Sequence, residues 1–195
     1  MNELLIVGGS GFVSGTLARR AVAAGWRVHA VTRGQRPLPA GVRPIIADRK
    51  QSPDFAAAID AAPVERFDLV VDCIGFDVED AQQDVDVFGK RAAQLVFVST
   101  DFVFDPAQRR FPQGEDSDHY LADGDDEQRA SYGGRKRHCE RALADADTGS
   151  MAVSVVRPCH IYGPGSRLGC LPEHGRDPQL LDRLRSQDRL RLVGG

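Results

Sequence analysis

The chain has 195 residues, of which 42% are apolar, and this length and composition suit one folded domain with a full core or one domain plus part of another. Its net charge is −3 and its lysines and arginines form no basic stripe, which argues against a nucleic-acid partner. The apolar runs are too short to span a bilayer, and Met1 opens no signal-peptide pattern, so we expect a cytoplasmic protein with no membrane partner. The four cysteines show no paired metal-ligand spacing, and we expect no metal.

The first predicted elements are a strand at Glu3–Val7, a glycine turn and a helix over 16–24 that stops at Gly25. A glycine turn between a buried strand and a helix N-terminus is suited to bind a phosphate, because free N–H groups and the helix dipole face the anion. The segment Gly8-Gly9-Ser10-Gly11-Phe12-Val13 has this form. The alternative is that the glycines only shape a tight turn.

Further along the chain, strands alternate with helices. The predicted strands are 27–32, 42–47, 69–74, one within 92–99, and 152–157, and the predicted helices are 53–62, 78–90 and 131–145. This alternation predicts an α/β fold, a doubly wound parallel sheet with helices on both faces and a ligand site at the carboxyl edge. An acidic, glycine-containing segment over 114–127 is typical of a solvated loop.

Two segments in the second half carry candidate catalytic groups. The fifth strand ends in Ser99 and Thr100, whose hydroxyls would lie at the carboxyl edge of the sheet, although such hydroxyls can also simply cap a strand end. Tyr132 and Lys136 are four residues apart on a predicted helix and so share one face. We expect the ammonium group to lower the pKa of the phenol, as a proton-transfer pair requires; the alternative is an exposed helix face.

Taken in order, these segments resemble the extended and atypical short-chain dehydrogenase/reductases, the NAD-dependent epimerase/dehydratase family. The glycine turn, the run Ser99-Thr100-Asp101-Phe102-Val103-Phe104-Asp105 and the run Arg157-Pro158-Cys159-His160-Ile161-Tyr162-Gly163-Pro164-Gly165 carry the likeness. The second run is locally similar to dTDP-dehydrorhamnose reductases. A departure is Ser14, where the family usually has a third glycine, and we expect it to affect helix–strand packing more than the phosphate site.

The resemblance implies a Rossmann fold, a nicotinamide cofactor, hydride transfer and a small-molecule substrate that is often a nucleotide sugar. It assigns orientation of the substrate to Thr100 and proton exchange to Tyr132. It assigns two roles to Lys136, which would lower the pKa of the Tyr132 phenol and bind the nicotinamide ribose. The implied cofactor contacts are Gly8, Gly11, Phe12, Val13, Asp48 at the adenine, Gly75, Lys136, Pro158 and Ile161.

The residues after the second strand bear on the choice of cofactor. NAD-preferring folds place an acid there, whereas this chain has Arg33 and Arg36, which could pair with the 2′-phosphate of NADP. The sequence therefore favours NADP over NAD, with a solvated basic loop as the alternative.

The leading interpretation is an NAD(P)-dependent oxidoreductase or epimerase. Phe102 stands where related dehydratases have an acid, which weighs mildly against dehydratase chemistry. The alternative is a non-catalytic NAD(P)-binding regulatory or RNA-associated member, and a homodimer is left open. We expect a cofactor domain over 1–165, with 166–195 as the start of an incomplete substrate-binding portion that includes a helix from Gln179 and a strand near Leu192.

Overall fold

One parallel sheet organises the part of the chain that the computed structural model describes, namely residues 1–108, 110, 112–115 and 117–161. Its strands are β1 (Glu3–Val7), β2 (Arg27–Thr32), β3 (Val42–Ile46), β4 (Leu69–Asp72), β5 (Gln94–Val98) and β6 (Ala152–Val156). They lie in the order β3-β2-β1-β4-β5-β6, and every pairing is parallel. The predicted doubly wound sheet is confirmed.

Helices cover both faces of this sheet. They are α1 (Phe12–Ala23), α2 (Ser52–Asp60), α3 (Val78–Phe88), α4 (Asp126–Ala130) and α5 (Tyr132–Asp145), with a 3₁₀ turn at Asp101–Val103. The apolar sides of α2, α3 and α5 pack against one face, where Phe55, Phe88 and Leu143 are buried. Helix α1 packs against the other face through Ala18 and its neighbours. Burying both faces explains why the central strands β1 and β4 are nearly continuous apolar runs and do not alternate between apolar and polar residues.

The order of the strands creates the place for a ligand. Strand β1 pairs with β2 on one side and with β4 on the other, so the chain leaves β1 toward one half of the sheet and later returns to the other half. At such a switch point the loops after the strands diverge and leave a crevice at the carboxyl edge.

One helix start and one additional helix differ from the prediction for local reasons. Helix α1 begins at Phe12, four residues before the predicted start, because Gly11 is extended and its N–H donates to the Ser14 hydroxyl at 2.9 Å. Helix α4 was not predicted: it begins inside the predicted acidic loop and ends beyond it, and the Asp125 carboxylate accepts the N–H of Gln128 at 3.0 Å. That contact caps a helix N-terminus, which acidic residues favour.

The chain divides into two units, Met1–Cys159 and His160–Gly195. The predicted boundary after residue 165, the run from Tyr162 to Gly165, the helix from Gln179 and the strand near Leu192 lie outside the described residues. Within the described part, no helix combines the length and apolar character that crossing a membrane requires.

Candidate active site

The glycine turn after β1 is tightly packed against its neighbours. Gly8 has a φ of +89°, and a Cβ added to it would lie 2.4 Å from Cγ2 of Ile74. A Cβ on Gly9 would lie 2.3 Å from that of Ala30. The N–H groups of Gly8 and Gly9 both donate to the carbonyl oxygen of Val31, at 3.1 and 3.3 Å, which fastens the turn to β2. Gly9 belongs to the glycine turn that the sequence predicted, but it was not among the individual cofactor contacts that the resemblance implied.

The N-terminus of α1 faces the same turn. Ser14, which stands where the family usually has a glycine, is buried, and its hydroxyl accepts the N–H of Gly11. Its side chain thus stabilises the start of α1. A Cβ at Gly15 would meet only Nη1 of Arg19 at 3.6 Å and the oxygen of Gly9 at 4.0 Å. The first N–H groups of a helix lack intrahelical acceptors, and here Phe12 and Val13 supply them. An anion could therefore be held at this end.

A cleft of about 390 Å³ opens beside the turn at the carboxyl edge of the sheet. Five residues predicted to contact a cofactor line it together: Gly8, Gly11, Arg33, Arg36 and Asp48. The sequence analysis missed other lining residues, namely Ser10, Thr32, Gln35, Lys50 and Phe76. Most of them directly adjoin residues that were predicted, and the rule that ligands bind after parallel strands could have found them.

One end of the cleft carries charges of both signs. The Arg33 side chain is 62% exposed, and its Nη1 lies 4.0 Å from Oδ2 of Asp48. The sequence showed no acid after β2, but the fold brings one from the loop after β3. Arg33 therefore has a carboxylate neighbour that the linear sequence did not reveal.

The other end of the cleft reaches the predicted catalytic residues. Phe76 lines the cleft, and its ring centroid lies 6.5 Å from that of Tyr132. The Phe102 ring lies on another side of Tyr132 at 6.3 Å. Thr100 is almost fully buried, its hydroxyl acts on the Tyr132 phenol, and it accepts the N–H of Phe102 at 3.3 Å. Thr100 and Tyr132 are thus brought together, and Thr100 also caps the 3₁₀ turn.

The pKa of Tyr132 is raised, contrary to the sequence expectation. Partial burial of the phenol is the main cause and the negative charge of Asp101 adds to it, whereas the hydrogen bond with Thr100 and the charge of Arg135 act in the opposite direction. Lys136 was expected to lower this pKa, and that expectation is wrong for the structure described here.

The reason is the position of the Lys136 ammonium group, which points into the protein. Its Nζ donates to the carbonyl oxygens of Gly75 at 2.6 Å and Val98 at 2.7 Å, and it lies 4.0 Å from the centroid of the Phe97 ring. Only 1% of the residue is exposed. The four-residue spacing placed both side chains on α5 correctly but could not show that backbone carbonyls compete for the ammonium group.

Ser99, Pro158 and Ile161 are the other residues that the sequence analysis named. The Ser99 hydroxyl donates to the Glu140 carboxylate, so Ser99 has a structural contact. The carbonyl of Pro158 accepts the N–H of Asp101 at 3.1 Å, next to Thr100. Ile161 belongs to the second unit and is exposed.

A second cleft, of about 530 Å³, adjoins the residue after Thr100. Its lining comprises Asp101, Phe104, 113–115, Val155, Val156, Arg157 and Cys159. Among the residues that the structure describes, no group of three or more His, Cys, Asp or Glu side chains could hold a metal ion.

The family model of the NAD dependent epimerase/dehydratase family matches residues 4–190, almost the whole chain. The chain belongs to this family. The local similarity to dTDP-dehydrorhamnose reductases stays a prediction. No curated protein matches the chain.

Solved structures agree with this family's fold. MoeE5 in complex with UDP-glucose and NAD is 23% identical, with a TM-score of 0.65 over 86% of this chain and 57% of that one. The Bordetella bronchiseptica enzyme WbmG in complex with NAD and UDP is 19% identical, with a TM-score of 0.59 over 79% and 52%. Gre2 from Candida albicans is 15% identical, with a TM-score of 0.65 over 89% and 61%. This epimerase/dehydratase family chain thus spans somewhat more than half the length of these three proteins.

The residues present fit the dinucleotide that gives the family its name. At Gly8 and Gly9 the space of a Cβ is taken by Ile74 and Ala30, so packing requires glycine there. The start of α1, at Phe12 and Val13, presents N–H groups that lack intrahelical acceptors and could face a phosphate. This helix start, with Gly8 and Gly11 in the cleft lining, is the feature that favours such a ligand.

Proposed function

We propose that the protein is an NAD(P)-dependent oxidoreductase or epimerase with a Thr100–Tyr132–Lys136 site. The observation that carries this proposal is the continuity between the cleft and the phenol: Phe76 lines the cleft and also contacts Tyr132, on whose phenol the Thr100 hydroxyl acts. A ligand lying along the cleft from the glycine turn would therefore end beside a proton donor.

Each of the three residues has a role that its surroundings support. The bound nicotinamide would supply or accept a hydride. Tyr132, with its raised pKa, is a neutral phenol that can donate a proton to a substrate oxygen. Thr100 orients the Tyr132 hydroxyl and the substrate oxygen through its own hydroxyl. Lys136 fixes the Gly75 turn at the floor of the site and keeps a positive charge below it.

NADP is the preferred cofactor in this proposal. Arg33 and Arg36 line the end of the cleft, and Arg33 is exposed enough to meet a 2′-phosphate. Asp48 is the acid that could instead accept a hydrogen bond from the ribose 2′-hydroxyl of NAD. Two arginines against one carboxylate leave this end of the cleft positive, which favours the additional phosphate.

The proposed substrate is a nucleotide sugar. The solved structures of MoeE5 and WbmG hold UDP-glucose and UDP beside NAD, which supports this class for a chain of the same fold. The second cleft begins at Asp101, directly after Thr100, and offers further space on the far side of the catalytic hydroxyls. Its lining combines the apolar residues Phe104, Val155 and Val156 with the charged side chains of Asp101, Glu115 and Arg157.

A non-catalytic cofactor-binding protein is the second candidate. The observation in its favour is that the Lys136 ammonium group contacts backbone carbonyls and does not lower the pKa of Tyr132. Such a protein would bind NAD or NADP at the same cleft and convert no substrate.

One screen separates the two candidates. The purified protein is incubated with NAD or NADP and a panel of UDP- and dTDP-sugars, and sugar conversion and cofactor reduction are followed separately. Sugar conversion supports the enzyme, and net cofactor reduction then separates an oxidoreductase from an epimerase, which returns the hydride. Tight cofactor binding without conversion of any sugar in the panel would support the second candidate instead.

A further inference from the structure

A buried carboxylate, Asp72, ends β4 directly below the site. It is fully buried, and its Oδ2 accepts a hydrogen bond from Nη1 of Arg49 at 2.7 Å. Its Oδ1 accepts the N–H of Ile74 at 2.8 Å. The second contact closes the chain into a tight turn just after the strand. Asp72 therefore shapes the backbone that leads to Gly75.

The Asp72 carboxylate also lies directly against Gly75. A Cβ on Gly75 would lie 2.2 Å from Oδ2 of Asp72 and 2.5 Å from Cε2 of Phe97. The space beside the Gly75 α-carbon is thus filled by the carboxylate and the ring. The carbonyl oxygen of Gly75 accepts the Lys136 ammonium group, whose Nζ also faces the Phe97 ring. One short path of contacts leads from Asp72 through Gly75 to Lys136.

The charges around Lys136 come from three elements. Burial lowers the pKa of Lys136, and Asp72 on β4 is the strongest of the groups that oppose this effect. Cys139 and Glu140 on α5 and Asp80 on α3 act in the same direction more weakly. The rings of Phe76 and Phe97 complete the surroundings of the ammonium group. A lysine in this position needs a carboxylate nearby to stay charged.

Asp84 on α3 is a second fully buried carboxyl group beside Arg49. Its Oδ1 accepts Nη2 of Arg49 at 3.0 Å. Burial is the main cause that raises the pKa of Asp84 well above its usual range, and the charge of Asp72 adds to this effect. The Asp84 side chain therefore holds a proton in the folded protein.

We propose that Asp72 is a positioning residue for Lys136: its carboxylate holds the Gly75 turn in the form that binds the ammonium group and supplies the negative charge that balances it. This inference rests on the proposed function only in giving Lys136 a place at the active site. Arg49 belongs to the loop after β3, which lines the cleft, and it donates a hydrogen bond to Asp72. Through Asp72, this loop is connected to the Gly75 turn that binds Lys136.

The test uses the fact that the chain contains only three lysines, Lys50, Lys90 and Lys136. Lysine side chains labelled with ¹³C and ¹⁵N give three ε-position signals by NMR, which Lys50→Arg and Lys90→Arg assign by elimination. The titration of Lys136 is then followed in the wild type, Asp72→Asn and Asp84→Asn, all without cofactor or substrate. Asp84→Asn is the matched control, because an amide replaces a carboxyl group that already carries no charge.

We expect the Lys136 titration midpoint to move to lower pH in Asp72→Asn and to stay at its wild-type value in Asp84→Asn. Equal midpoints in all three proteins would overturn the proposal. If Asp72→Asn does not fold, Asp72→Ser replaces it, because the hydroxyl can still accept the N–H of Ile74 while the negative charge is removed. The same downward shift is expected in Asp72→Ser, and a midpoint equal to that of Asp84→Asn would again contradict the proposal. This result does not depend on whether any sugar is converted.

Discussion

Arg157 and Glu140 form a bidentate ion pair that ties the end of β6 to α5. Nε of Arg157 lies 3.1 Å from each carboxylate oxygen of Glu140, and Nη2 lies 2.8 Å from Oε2. The hydroxyl of Ser99 donates to the same carboxylate from the end of β5. Since α5 carries Tyr132 and Lys136, and Ser99 precedes Thr100, this one carboxylate connects α5 to the end of β5, where the proposed site lies.

Replacement of this carboxylate should therefore weaken the fold. Glu140→Gln keeps the shape but leaves a largely buried guanidinium with a neutral partner, and we expect a loss of about 1–3 kcal/mol in the free energy of unfolding. Urea denaturation measures it. The control is Asp123→Asn, which removes the exposed partner of Arg141 and should leave the unfolding midpoint unchanged. A similar unfolding midpoint in both variants would show that the Arg157–Glu140 ion pair contributes little to the stability of the fold.

Tyr132→Phe tests the proposed proton donor. Turnover should fall by at least about 10²-fold, because the phenylalanine cannot transfer a proton, while cofactor affinity should change little. Steady-state kinetics and calorimetric titration give the two quantities. Tyr120→Phe is the matched control, since its hydroxyl contacts Arg157 rather than Thr100, and it should keep most of the turnover. Near-normal turnover in Tyr132→Phe would remove this residue from the mechanism.

Arg33→Ala tests the proposed preference for NADP. In the wild type we expect NADP to bind more tightly than NAD by roughly 1–2 kcal/mol, from one charge-assisted contact with the 2′-phosphate. The variant should lose this preference. Arg43→Ala, on β3 and outside the cleft lining, should keep it. Calorimetry that finds equal or tighter binding of NAD to the wild type would contradict the assignment, and would point to Asp48 as the residue that selects the cofactor.

Two glycines of the same segment should respond differently to alanine. At Gly8 an alanine would be strained by the φ of +89° and would lie 2.4 Å from the Ile74 side chain, so cofactor affinity and stability should both fall. At Gly15 the nearest atom would be 3.6 Å away, and Gly15→Ala should be tolerated or slightly stabilising, because α1 is helical there. Thermal unfolding and calorimetric titration of NAD compare the two. Equal changes in stability and in NAD affinity in the two variants would mean that the turn at Gly8 rearranges to accept a Cβ.

The sequence predicted the parallel sheet, the alternation of strands and helices, and the glycine turn after β1, because these depend on local patterns. Apolar runs, a glycine turn and a four-residue helical spacing are each visible within a few residues. What it missed depends on contacts between distant segments: Asp48 beside Arg33, and the carbonyls of Gly75 and Val98 around Lys136. Asp72 within a predicted apolar strand was a visible signal of a buried charge, but only the fold shows that Arg49 and Asp84 surround it.

The buried pair of carboxyl groups should also give the protein an unusual dependence of stability on pH. Asp84 keeps its proton in the folded protein well above its ordinary pKa, whereas in the unfolded chain it releases the proton near the reference value of about 3.9. Between these two pKa values the folded state binds one proton more than the unfolded state, so this group lowers stability as pH rises, by up to about 1.4 kcal/mol per pH unit. Asp80 acts in the opposite direction, because its pKa is lowered, so that its contribution to stability is lost as pH falls.

Comparing the wild type with Asp84→Asn isolates the effect of Asp84 on stability, since both proteins retain Asp80. Urea denaturation at several pH values from about 4 to 7 should show Asp84→Asn becoming progressively more stable relative to the wild type as pH rises. Parallel stability curves would mean that Asp84 is already ionised in the folded protein, and that Arg49 then balances two charged carboxylates.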